Sequence, residues 1–272
     1  MQKRKMIKKY RRSLSDAEAK VLTDLSYSGR RIFAAKELLS TGQNAKNLLD
    51  RLARKGWIIR LKNGVYLVVP LEAGYGGARD WTLHGFALAS AVAKDYYISY
   101  MSALNYWGMT DRVPAEVLVA TTKPQRTRKV IDTTIRFVSI DRRKMFGFET
   151  EVVDGFKVAV ASREKAIADC LDRPKYCGGI EEVAKAIRFS RQGLDLAKLC
   201  DYAARMGNSA VLKRLGYIAE EEGLGELASK VAQARLGEGY SYLDPSGPKA
   251  GTIKARWRII ENIRIGPGGG SS

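Results

Sequence analysis

The sequence predicts an α+β protein with more than one domain. Three observations lead there. Three helical patterns lie between residues 15 and 55, and two β-rich runs then flank Asn63-Gly64. Strand and helix signals alternate over residues 82–161. From Ser162 the pattern turns helical and closes on an extended segment at residues 252–265. A chain of 272 residues has room for two or three such units.

The elements follow in order. Ser15-Asp16-Ala17-Glu18 matches a capping box, and Ala17, Val21, Leu22 and Leu25 continue at helical spacing until Ser28-Gly29. Phe33 and Leu38-Leu39 mark a short second helix, and Ser40-Thr41-Gly42 supplies a tight turn. A third helix is predicted over residues 43–55, ended by Gly56. Its Ala45, Leu48, Leu49 and Leu52 share one face. Gln43, Lys46, Asn47, Asp50 and Arg54 share the other, with Arg51 at the flank. Residues 57–61 and 65–69 form a hairpin on the two-residue turn Asn63-Gly64, where both positions call for positive φ. Three helices followed by a hairpin constitute a winged helix-turn-helix, assigned to residues 1–70. Residues 71–80 read as a linker; Gly74-x-Gly76 lacks the strand-to-helix setting of a phosphate site.

Residues 81–265 form the second predicted domain. Helices are predicted at 82–94 and 99–107, and strands at 96–98, 115–120, 134–140, 149–153 and 156–161, the last two joined by Asp154-Gly155. Further helices fit 162–171, 180–189, 194–206, 209–222 and 224–236. The segment 252–265 is expected to return to the earlier strands. Residues 266–272, rich in Gly, read as a flexible tail.

Charge points to a polyanionic partner. Residues 1–70 hold 17 of the 47 Lys and Arg but 5 of the 29 Asp and Glu, and so carry +12 of the net +18. A localised basic field draws nucleic acid by counterion release. Exposed Gln, Asn, Lys and Arg on a helix suit base edges and phosphates. The predicted DNA-binding residues are Lys8, Lys9, Arg11 and Arg12 of a basic arm; Gln43, Asn44, Lys46, Asn47, Arg51 and Arg54 of the third helix; and Arg60, Lys62 and Asn63 of the hairpin.

Catalytic sets are sparse. One histidine, His84, argues against His-based metal sites and Ser-His-Asp triads. Glu149, Glu151 and Asp154 with Lys157 are the nearest approach to a metal-nuclease cluster, and on a hairpin such charges usually face solvent. No catalytic residue, metal or cofactor is assigned. Cys170, Cys177 and Cys200 are odd in number and fit no zinc spacing; they read as reduced core residues in a cytoplasmic setting. No apolar run reaches the ~18–20 residues of a membrane span, and the N-terminus does not read as a secretory signal.

Several passages resemble the AbiEi antitoxin family, predicted transcriptional regulators of viral defence systems. They are residues 52–66, ending in Gly64-Val65-Tyr66; residues 97–109, with Ser99 and Ser102-Ala103-Leu104; residues 163–174, with Glu164-Lys165, Asp169 and Pro174, followed by Cys177-Gly178-Gly179; and residues 256–262. Ala166 departs from the threonine usual in that pattern. The resemblance implies an N-terminal repressor domain and a C-terminal antitoxin domain. It further implies autoregulation through repeats in double-stranded DNA upstream of the operon, and a nucleotidyltransferase-like toxin encoded nearby. It makes Ser99, Ser102, Glu164, Lys165, Asp169 and Arg173 candidates for the antitoxin role. Read from spacing alone, the two serines cap or back-bond to their helix and the four charged residues form an intrahelical ion-pair network. The alternatives are a nucleic-acid-processing enzyme targeted by the winged helix, a stand-alone regulator without a toxin, and a module that docks its basic face on an acidic protein.

Overall fold

A computed structural model describes residues 11–38, 45–74, 76–77, 81 and 83–265. The chain is α+β and divides into two compact units, one up to Ala93 and one from Lys94.

In the first unit, helix α1 (Asp16–Tyr27) opens on the complete Ser15/Glu18 capping box. Strand β1 (Ile32–Ala34) and a 3-10 turn (Ala35–Glu37) follow. Phe33 thus lies on a strand rather than on the expected second helix. Its register partner is Tyr66, on which its ring stacks at 5.8 Å, and an aromatic residue fits a pleated, half-buried surface. Helix α2 (Ala45–Arg54) leads into strands β2 (Ile58–Lys62) and β3 (Val65–Val68), and the sheet order is β1-β3-β2. Leu22, Leu25, Phe33, Leu49, Leu52, Ile58 and Tyr66 form the core beneath.

The turn at Asn63-Gly64 has positive φ at Gly64 alone, not at both positions. A register shift between Arg60 and Lys62 takes up the difference, leaving Leu61 as the extra residue. The turn at Asp154-Gly155 does have both residues left-handed, φ 52° and 80°.

Residues 71–80 do not mark the division between units. They contain a 3-10 turn (Leu71–Ala73) with Ala73 buried. Helix α3 (Gly85–Val92) groups with the first unit, where Lys62 Nζ donates to the Val92 carbonyl at 3.1 Å. His84 is the N-cap of α3, its Nδ1 accepting from the Phe86 N–H.

The second unit begins with β4 (Tyr96–Ile98), α4 (Tyr100–Tyr106) and β5 (Val117–Thr121). Strands β6 (Arg128–Val130), β7 (Thr133–Ser139), β8 (Phe148–Val153) and β9 (Phe156–Ala161) complete a mixed sheet of order β6-β7-β5-β4-β9-β8. β5 runs parallel to β7, and β4 to β9. The sequence reading missed β6, whose Arg128 and Lys129 are exposed; charged side chains of this kind blunt a sheet edge.

Helix α5 (Arg163–Asp172) is buried from Glu164 to Leu171. It touches α4, α6 (Ile180–Ser190), α7 (Leu196–Arg205) and α8 (Ser209–Glu221), and α9 (Gly225–Ala232) packs on α7 and α8. The closing segment does not rejoin the large sheet. Strands β10 (Ser241–Tyr242), β11 (Thr252–Lys254) and β12 (Ile259–Glu261) form a sheet of their own, order β10-β12-β11. It is seated through buried Trp257 against Gly216 of α8, where a Cβ would meet the indole at 2.2 Å.

Cys170 and Cys177 are joined by a disulfide, in place of the reduced thiols expected; the turn at Pro174–Tyr176 brings their Cα atoms to 5.9 Å. Cys200 is free. Among the described residues no helix is long and apolar enough to cross a membrane.

Candidate nucleic-acid interface

The exposed face of α2 is set by a carboxylate beneath it. Glu18 is buried at the start of α1, where its Oε2 accepts from the Ser15 N–H at 2.8 Å. Lys55 Nζ reaches the same oxygen at 2.5 Å, and Arg51 Nε reaches Oε1 at 3.2 Å. Burial by itself raises the Glu18 carboxyl, but the bonds from Lys55, the Ser15 N–H and Arg51 outweigh it and bring its pKa down to about 2. One ionised carboxylate thus ties the C-terminal half of α2 to the N-terminus of α1. This brace was not foreseen: Glu18 was legible as a capping residue, but its partners lie 33 and 37 residues away.

With its apolar stripe of Ala45, Leu49 and Leu52 buried, α2 presents Lys46, Asn47, Asp50, Arg51 and Arg54 to solvent. Arg51 remains 43% exposed, so it brings positive charge to this face while serving as a brace. Beside α2 in sequence, the β2–β3 hairpin exposes Arg60 and Asn63, which bond to each other at 2.7 Å. Lys62 does not stand out from the tip; it is half-buried and bonded to Val92.

Arg11 is also turned inward. Its guanidinium lies 4.4 Å over the Trp57 ring and donates to the carbonyls of Val69 and Pro70. Burial lowers its pKa from the ordinary value, against a nearby Glu72. Arg11 is therefore a clasp between the entering chain and the end of the hairpin, not the DNA contact of a basic arm that the sequence predicted. Trp57 completes the clasp by donating its indole N–H to the Arg12 carbonyl at 2.8 Å, which leaves the Arg12 side chain exposed. Lys8, Lys9, Gln43 and Asn44 lie outside the described residues, as does the predicted turn at residues 40–42.

The candidate antitoxin residues of the second unit are mostly interior. Ser99 holds the N-cap position of α4, but its hydroxyl makes no capping bond and donates instead to Asp169 Oδ2 at 2.7 Å. Ser102 does not back-bond to its helix; it accepts from the Leu118 N–H at 2.9 Å and donates to the Glu116 carbonyl. Of the four charged residues, Lys165 and Asp169 alone form an intrahelical pair. Glu164 pairs instead with Lys198 at 3.1 Å, and Arg173 donates to the Ser139 carbonyl at 2.8 Å. Lys165 also donates to the Tyr97 hydroxyl at 2.8 Å, which donates to Asp169 Oδ2 at 3.0 Å. Burial and Asp169 push the Tyr97 hydroxyl well above its ordinary value, so it remains a neutral donor. Ser99, Ser102, Glu164, Lys165 and Asp169 are buried and form no surface for a partner; Arg173 is half-buried. Glu149 and Glu151 face different cations and donors, Lys198 at 3.9 Å and the Tyr106 hydroxyl at 3.0 Å. No carboxylate, His or Cys cluster among the described residues could hold a metal ion.

The architecture belongs to a known class of α+β fold. The chain is similar to the crystal structure of the RV2827C protein from Mycobacterium tuberculosis, with a TM-score of 0.65 over 92% of this chain and 93% of that one. Identity is 12%, so the likeness concerns the fold alone. No family model and no curated protein matches the chain.

Proposed function

We propose that the first unit is a winged helix-turn-helix that binds double-stranded DNA, and that the protein is a non-catalytic transcriptional repressor acting on its own upstream operator. In this reading α2 enters the major groove and the β2–β3 hairpin is the wing. The observation that carries it is the exposed row Lys46, Asn47, Arg51 and Arg54 on a helix whose opposite stripe is buried and whose orientation is braced through Glu18. The sheet order β1-β3-β2 and the basic excess of residues 1–70 agree with it. Arg54 and Arg60 would hold phosphates, and Asn47 is suited to an adenine edge.

We further propose that the protein is an antitoxin, on the motif resemblance in residues 97–109 and 163–179. It places the protein opposite a nucleotidyltransferase-like toxin, with the buried residues of α5 shaping the domain rather than touching the partner.

The deciding experiment is fluorescence anisotropy on the gene's own upstream duplex and on a scrambled duplex, across several salt concentrations. Binding at least ~10³-fold tighter to the upstream duplex is expected of a specific regulator. Equal, steeply salt-dependent binding to both would reduce the first unit to a polycation.

A further inference from the structure

The second unit carries its own concentration of positive charge. Residues 122–148 hold eight Lys and Arg against two Asp. Several of these cations are spoken for: Arg136 pairs with Glu116, Arg143 with Asp141, and Lys144 with Asp172. Lys123 and Arg142 have no carboxylate partner among the described residues, and both line one cleft of about 680 Å³. That volume is in the range of small-molecule sites.

The cleft lies where the parallel neighbours β5 and β7 end. Thr121 and Ser139 are their last register partners, and the chain just beyond them supplies Lys123 and Arg142. Ligands of sheets with parallel strands gather outside such carboxyl ends. The lining is also aromatic. Phe148 is 39% exposed, and its ring stacks on Tyr97 at 5.1 Å and 11°. Tyr97 is fully buried and bonded to Lys165 and Asp169, so Phe148 rests on a ring held at its hydroxyl. Met145 adds a polarisable surface to the same lining. Asp95, in the left-handed region at φ 48°, also lines it.

An open ring face, two unpaired cations and one carboxylate acceptor describe a ligand with a flat π system, an anionic group and N–H or O–H donors. We propose that this cleft binds a nucleoside phosphate, its base stacked on Phe148, its phosphate against Lys123 and Arg142, and its sugar or amino donors toward Asp95. The buried Lys165–Asp169–Tyr97 cluster then has a purpose, as the support that holds the stacking ring flat. The site is separate from the α2 face of the first unit and does not depend on the DNA-binding reading.

Calorimetric titration of the full chain tests it, with the four ribonucleoside monophosphates, the parent nucleosides, inorganic phosphate and a short oligothymidylate as probes. The expected result is one-to-one binding of a monophosphate at least about tenfold tighter than its nucleoside or phosphate. Phe148→Ala and Arg142→Ala should each weaken it about tenfold, and Phe148→Trp should retain it. Arg142 bonds to no core group through its side chain, so its variant keeps the test valid if Phe148→Ala fails to fold. Binding of the oligonucleotide alone, with the same dependence on Phe148 and Arg142, would uphold the site and identify a strand as the source of the base and phosphate. Phosphate binding as tightly as the nucleotides, binding indifferent to both residues, or no binding at millimolar concentration would each overturn the proposal. Duplex binding by the first unit should be unchanged in Arg142→Ala, which keeps the two readings apart.

Discussion

Glu18 and Asp169 are both buried carboxylates held by a lysine, yet their cations differ. The partners of Glu18 come in from the surface: the side chains of Arg51 and Lys55 are 43% and 24% exposed. Those of Lys165 and Asp169 are 0% and 1% exposed. In the first case one desolvated ion is neutralised by cations that stay hydrated, and the outer surface keeps its positive charge. In the second both ions have left water, a cost their attraction offsets only with further hydrogen bonds, here from Tyr97 and Ser99. Burial lowers the Lys165 pKa, with Asp169 opposing it. The same pair of groups thus orients a surface helix in one unit and organises a core in the other.

The largest effect should come from breaking the deep pair. Asp169→Ala leaves an ammonium without its counter-ion and is expected to cost about 3–5 kcal/mol in urea unfolding. The double replacement Lys165→Met with Asp169→Leu should recover most of that loss. A single variant within about 1 kcal/mol of the parent would mean that neither the ion pair nor the bonds from Tyr97 and Ser99 to Asp169 matter much, and that apolar packing holds α5.

Glu18→Gln should cost less, about 2–3 kcal/mol at neutral pH, because its cations can return to water. A carboxyl whose folded pKa is depressed contributes its full stability above the unfolded value near 4.5, and that stability is lost as pH falls toward about 2. Amide exchange in α1 and α2 should therefore quicken over that interval in the parent and be flatter in Glu18→Gln. Equal acid dependence in both would remove Glu18 as the brace.

Next comes Asn47→Ala. If Asn47 reads an adenine, discrimination between operator and scrambled duplex should drop by about 1–2 kcal/mol. Equal losses on both duplexes would make it a backbone contact. The smallest effect is expected for Arg60→Ala, which should weaken both duplexes alike and lower the salt slope by about one. Lys62→Ala, being bonded to Val92, should change stability more than the salt slope.

Local chemistry was legible wherever the cause lies within a few residues. The Ser15/Glu18 box, the stripe of α2, the hairpin and the start of α5 near Ser162 are such cases. The candidate site was legible in part for the same reason: the polar face of α2 follows from helical period alone. Arg11, Lys62, Ser99 and Ser102 were misplaced because each bonds to a group far along the chain, from 14 to 70 residues away. The cleft at Lys123 and Arg142 left no motif, since four separate segments build it.

By itself, the sequence determined the α+β class, the order of most elements, the amphipathic α2 and the basic bias of residues 1–70, because period, capping and charge are properties of neighbours. The tertiary structure alone decided that Arg11 turns inward, that Cys170 meets Cys177, that residues 252–261 build a separate sheet, and which cations are left without a carboxylate. Those outcomes depend on which distant groups share a desolvated site, and pairing across the chain is set by packing rather than by any local preference.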